Sequence, residues 1–244
     1  MSLSAIKKKT ELKPPKIILY GGAGVGKSSF GASMPEPIFL LTEDGLGKIQ
    51  VHHFDLAETF DQVLINLNKL INEEHTYKTL VIDSLDWLEP LWQAKCCEDN
   101  NWKSIESPGY GRGYVETLKY VRQYLDLLNV LRNKKKMTIL HICHNLVKRV
   151  ESPEISPYDQ HQLKLHAKAA ALISEWSDCV FFTNYKLGEV KVQGKGNQMN
   201  TKAVSGDRVI YSQENTSRIA KNRYGLDPEL PFDWSVIREQ MLAK

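Results

Sequence analysis

Between Leu19 and Phe30 the chain reads LYGGAGVGKSSF, and Gly21, Gly26, Lys27 and Ser28 fall at the spacing G-x-x-x-x-G-K-S. Residues of these types at this spacing can hold a phosphate. Glycines let successive backbone N–H groups converge on one anion. A lysine just beyond them can reach the outer phosphate oxygens, and the serine hydroxyl can ligate a magnesium ion. Gly21, Gly22, Ala23, Gly24, Val25, Gly26, Lys27, Ser28 and Ser29 are therefore the candidate nucleotide cradle. The plain alternative is a glycine turn with a surface lysine.

Such a loop works between a strand and a helix, so its flanks matter. KIILY, Lys16 to Tyr20, predicts a strand behind Pro14 and Pro15. A helix beginning near Ser28 must be short, because Pro35 and Pro37 lie ahead of the next strand, Ile38 to Thr42. Glu43 and Asp44 close that strand. Apolar residues at Phe60, Val63, Leu64, Leu67 and Leu70 predict a helix over 57–71. Leu80 to Ile82 predict a strand with Asp83 at its end, where a Walker B carboxylate holds magnesium through water. Ser84 follows, not a glutamate, so the carboxylate that activates water must come from elsewhere. Glu43 is the candidate, because parallel strands share one carboxyl edge; a loop or helix cap is its other reading.

Trp87, Leu88, Leu91 and Trp92 predict a packing stripe on a helix over 85–98. A loop over 99–112 mixes Tyr110, Arg112 and nearby Tyr114 with glycines, a composition able to stack bases and touch phosphates, or equally a plain surface loop. A long helix over 113–132 would turn Val115, Leu118, Val121, Leu125 and Leu128 inward. Met137 to Cys143 predict a strand with His144 and Asn145 at its carboxyl end. His141, Cys143 and His144 lack zinc-site spacing. Residues 146–160, carrying Lys148 and Arg149 and broken by prolines, predict a mobile loop. A helix follows over 163–178, then a strand from Cys179 to Tyr185. Residues 186–211 predict a β-hairpin with a glycine-rich tip at Gly194 and Gly196. SRIAKNRYG predicts a last edge strand with Lys221 and Arg223 on one face, before a terminal helix near Phe232 and Trp234.

With 244 residues and 42% apolar content, the chain suits one large α/β domain over 16–244. The basic stretch 1–15, with Lys7, Lys8, Lys9 and Lys13, is expected to be a flexible arm. The net charge of +3 does not by itself call for nucleic acid. Cys96, Cys97, Cys143 and Cys179 do not form a disulfide framework. No apolar run would span a bilayer, so an intracellular protein without membrane contact is expected.

In this order, GGAGVGKS, FLLTEDG, TLVIDS, ILHICHN and IAKNRYG resemble the RecA-type ATPase core. The likeness is greatest to short phage-encoded RecA-like proteins of single-strand annealing and recombination. The resemblance implies an α/β RecA-like P-loop NTPase, with a mostly parallel sheet flanked by helices and a late β-hairpin. It implies ATP on Lys27 and its loop, Mg2+ at Ser28 and Asp83, water activation by Glu43, and a sensor role for His144, where the family usually has glutamine. Lys221 and Arg223 would reach a neighbour's ATP in a homo-oligomeric ring or filament. Loops near 99–113 and 146–160 would bind single-stranded DNA, giving Tyr110, Arg112, Lys148 and Arg149 as DNA contacts. A single-strand-binding protein is a further implied partner, and the host cytoplasm the implied location. The expected function is DNA-stimulated ATP hydrolysis coupled to single-stranded DNA binding, in annealing or recombination. A hexameric helicase or loader motor, and a nucleotide-dependent interaction module without DNA, are the competing readings.

Overall fold

The computed structural model describes residues 12–193 and 199–243, with side chains described outside 187–205. Lys7, Lys8, Lys9, Gly194 and Gly196 of the expected arm and hairpin tip lie outside the described residues or side chains. The nearer end of the arm is bonded to the domain: Lys13 Nζ donates to Asn133 at 2.7 Å, and the Pro14 carbonyl accepts from Arg132 Nε at 2.6 Å.

The fold is mixed α/β, built on a central, mostly parallel sheet. Its strands are β1 (Lys16–Gly21), β2 (Pro37–Leu41), β3 (His52–His53), β4 (Thr79–Asp83), β5 (Thr138–Val150), β6 (Tyr158–Leu163), β7 (Cys179–Gln193), β8 (Met199–Tyr211), β9 (Lys221–Asn222) and β10 (Glu229–Pro231). They run in the order β10-β8-β7-β1-β5-β4-β2-β3, with β6 on β5 and β9 on β7. β7, β1, β5, β4, β2 and β3 run parallel to one another, while β6, β8, β9 and β10 pair antiparallel. The helices are α1 (Lys27–Ala32), α2 (Phe60–Asn72), α3 (Leu85–Asn100), α4 (Arg112–Val130), α5 (Ala167–Trp176) and α6 (Trp234–Leu242).

The central strands are covered on both faces, which is why they read as unbroken apolar runs rather than alternating ones. Ile18 and Tyr20 of β1 join the core under α2 to α5, while Ile17 and Leu19 join the core under α1 and α6. α2 starts at a capping box: Thr59 accepts from the Gln62 N–H, and Gln62 accepts from the Thr59 N–H. Its stripe of Phe60, Val63, Leu67 and Leu70 is buried, as the periodicity predicts.

Three expectations need correction. Residues 146–160 are mostly not a loop: β5 runs on to Val150 and pairs with β6 from Asn145↔Leu163 to Val150↔Tyr158. The prolines at 153 and 157 lie in the connection, where the missing N–H costs no ladder bond. Trp87 is 52% exposed, because only Leu88, Trp92 and Cys96 continue inward from Leu85. Val115 is also exposed, its expected place inside α4 being taken by Thr117, Tyr120 and Tyr124. The preceding loop presses on this first turn, and a Cβ at Gly113 would collide with the Ile105 carbonyl.

Candidate active site

The site grows from the carboxyl edge of the parallel strands. Register sets Gly21 beside His144, Leu41 beside Asp83, and Asp83 beside Ile142. The ends of β1, β2, β4 and the parallel part of β5 therefore stand side by side. His144 does not end its strand. It marks where β5 leaves β1 and takes up β6 from Asn145 onward.

After β1 the chain turns through Gly22, Ala23 and Gly24, which are exposed, and is pinned by Val25, which is 3% exposed. Gly24 and Gly26 have φ of +75° and +99°, a region that favours glycine. The helix that follows has six residues, as short as the prolines require. Lys27 is buried and curls over the loop, its Nζ donating to the Gly21 and Gly22 carbonyls at 3.1 and 2.9 Å. Burial is the main cause that lowers its pKa, opposed by the charge of Asp83.

Ser28 Oγ donates to Asp83 Oδ2 at 2.6 Å. A hydroxyl and a carboxylate meeting at one point are two hard oxygen donors of the kind magnesium takes, so these residues fit that ion. Burial foremost raises the Asp83 carboxyl, the Ser28 hydrogen bond opposes it, and the charge of Glu43 adds to the rise. Glu43 is held near Asp83 by a staple between strand ends. The Thr42 hydroxyl donates to the Ser84 carbonyl at 2.7 Å and accepts from the Ser84 N–H at 2.8 Å. One cleft is lined by Gly24, Gly26, Lys27, Ser28 and Ser29 together with Glu43, Asp83 and His144.

The sequence reading missed Asp86. This carboxylate, in the first turn of α3, accepts from the His144 N–H at 3.0 Å and meets His144 Nδ1 at 3.0 Å, with Lys164 Nζ at 3.7 Å. Burial alone would raise the Asp86 carboxyl, but the His144 hydrogen bonds outweigh it and hold it at about 2. With Nδ1 given to Asp86, Nε2 is the ring nitrogen left for a substrate oxygen. An acidic residue at a helix start reads only as a favourable end charge, so its partner was not legible. His141 belongs to the core instead, with Tyr124 at 2.8 Å and its pKa lowered to about 3 by burial. Among the described residues no group of three His, Cys, Asp or Glu could hold a metal.

The other candidates lie apart from this cleft. Tyr110 is fully exposed, and Arg112 opens α4. Neighbours on a strand point to opposite faces, so Lys148 and Arg149 do not line one surface. Arg149 lies 3.8 Å from Asp159 and 3.9 Å from Glu151. Lys221 and Arg223 do share a side, but at the far end of the sheet from the phosphate loop: Lys221 pairs with Val180, whereas Gly21 pairs with Thr183. Lys221 Nζ donates to the Ser174 and Glu175 carbonyls at 2.7 and 2.9 Å, and Arg223 meets Asp178 at 3.3 Å.

Among the described residues no helix is long and apolar enough to cross a membrane. No curated protein matches the chain. The family described as an AAA domain matches residues 13–224, a span that takes in the loop, Glu43, Asp83 and His144. A glycine loop over a parallel sheet edge, with a carboxylate at the end of a neighbouring strand, is the nucleotide-binding core such a match calls for, and the chain belongs to this AAA domain family of P-loop NTPases.

Proposed function

We propose that the protein is a RecA-like ATPase that binds single-stranded DNA in annealing or recombination. The observation that carries the ATPase part is the single cleft shared by the phosphate loop, Glu43, Asp83 and His144. Lys27 would leave the loop carbonyls for the outer phosphates, and Ser28 and Asp83 would hold magnesium. When bound, that ion neutralises charge on the phosphate oxygens. Glu43 would orient the attacking water and accept its proton. His144, fixed by Asp86, would offer Nε2 to a terminal phosphate oxygen and register its departure.

The DNA part rests on the sequence resemblance, with support from the exposure of Tyr110 and Lys148. An assembly of copies would present these residues repeatedly along a strand, so that weak single contacts add up. Lys221 and Arg223, steadied on the last carbonyls of α5, are the cations offered to a neighbouring copy. A single-strand-binding protein is the further partner we propose. A second reading, an interaction module driven by nucleotide without DNA, is favoured by the engagement of Arg149 with acidic residues and its separation from the face of Lys148.

ATP hydrolysis measured against increasing single-stranded DNA, at two salt concentrations, separates the two. The DNA-binding reading predicts turnover that rises with DNA and a stimulation that weakens with salt. Turnover indifferent to DNA would establish the second reading.

A further inference from the structure

Glu43, Asp83 and His144 all lie to one side of β1, just past β2, at the end of β4 and within β5. A nucleotide whose terminal phosphate faces them must leave the loop on the other side with its inner phosphates and sugar. That other flank is formed by β7, β8 and β10, and it brings a charged group to the loop.

The group is Arg208 of β8. It pairs with Tyr185, two positions beyond Thr183, the partner of Gly21, so it stands just past the carboxyl edge. Its guanidinium lies 4.6 Å from the centre of the Phe232 ring, and Phe232 packs on Phe30 of α1 at 5.2 Å. Its Nη1 is the atom nearest to where a Cβ of Gly26 would stand. The positive φ of Gly26 favours glycine, and the absence of a side chain leaves room for the guanidinium beside it. Arg208 is exposed, and among the described residues no carboxylate pairs with it. A guanidinium held over an aromatic ring can still offer its N–H groups for bidentate bonding to phosphate oxygens, which a lysine cannot reproduce.

We infer that Arg208, backed by Phe232, is a nucleotide-binding residue acting within its own chain, donating to the inner phosphates of a nucleoside polyphosphate held on the Gly21–Ser28 loop. The inference rests on the reading of that loop as a nucleotide site and adds a second wall to it. The wall comes from the late hairpin, so the inner phosphates tie β8 to the loop.

Calorimetric titration of the full chain with ATP, ADP and inorganic tripolyphosphate tests it. Arg208→Ala is expected to weaken all three on the order of tenfold, with part of the loss restored in Arg208→Lys and an unchanged melting temperature without ligand. If Arg208→Ala lowers that melting temperature, the comparison passes to Arg208→Gln, which keeps the aliphatic stem and a planar polar end but loses the charge. Unchanged binding of all three would overturn the inference, and so would a loss confined to the nucleotides, which would place Arg208 on the base or sugar. A wild-type chain that binds none of the three brings down the nucleotide reading itself. A loss in Lys27→Ala without one in the Arg208 variants brings down this inference alone.

Discussion

The two flanks of β1 are built differently. On one side β5, β4 and β2 are parallel, and their ends deliver Asp83, Glu43 and His144 to one cleft. On the other side the sheet turns antiparallel at β8, β9 and β10, which carry Arg208 and Lys221 together with Asp207 and Glu229. Arg208 reaches the loop itself. Lys221, Arg223, Arg132 and Lys16 gather at the far end around Asp178, with Arg132 at 2.9 Å from it. Burial foremost, with the neighbouring Arg132, Arg223 and Lys221 adding, lowers Lys16 to about 8 despite the charge of Asp178. The two flanks thus differ in what they bring to the loop: two carboxylates and an imidazole on one side, a guanidinium on the other.

The largest effect expected is at the boundary between the flanks. Lys27→Ala removes the one cation buried in the loop, and steady-state ATP turnover should fall by about 10² to 10³ with the melting temperature of the free chain little changed. A variant that kept more than half of the wild-type turnover would remove the loop from the chemistry.

Next comes the support under His144. Asp86→Asn keeps an acceptor for the His144 N–H but loses the charge, so kcat should fall about tenfold with KM nearly constant. The same substitution has an acid-stability signature. The Asp86 carboxyl is held at about 2 in the folded chain, below its unfolded value of 3.8. Its contribution is therefore fully present above the unfolded value and is lost as pH falls towards 2. The shift corresponds to about 2 kcal/mol. Denaturant midpoints measured between neutral and acid pH should flatten in the variant, and parallel curves for the two proteins would contradict the assignment.

The smallest effect belongs to the far end of the antiparallel flank. Lys221→Ala loses two bonds to the last carbonyls of α5, which costs about 1 kcal/mol of stability. The affinity of the dilute chain for ATP should stay at the wild-type value in titrations, while turnover that grows with protein concentration should diminish. A lower affinity in the dilute chain would erase the distinction between the two ends.

The sequence made the first flank legible because its signals are contiguous. Gly21 to Ser28 sit in one run, and Asp83 follows an apolar triplet that can only be a strand buried on both faces. Glu43 could be placed because strand ends share an edge. What could not be read were pairings between distant segments. Asp86 meets His144 across 58 positions, and Arg208 meets Gly26 only once β7 and β8 have set their register. The hairpin of β5 and β6 was hidden for the same reason: its prolines mark a turn, but the strands around them exist only as each other's partners. Val115 was misplaced because a single apolar residue cannot outvote Thr117 and Tyr120, which the packed loop draws inward.

Glu43→Gln, read two ways in one protein, isolates the proposed base. ATP affinity is measured by titration and hydrolysis by phosphate release in a single turnover. Wild-type affinity is expected with hydrolysis slowed by about 10² to 10⁴, because the amide keeps the shape of the cleft and loses the base. Hydrolysis at the wild-type rate would contradict it and move the activation of water away from the end of β2.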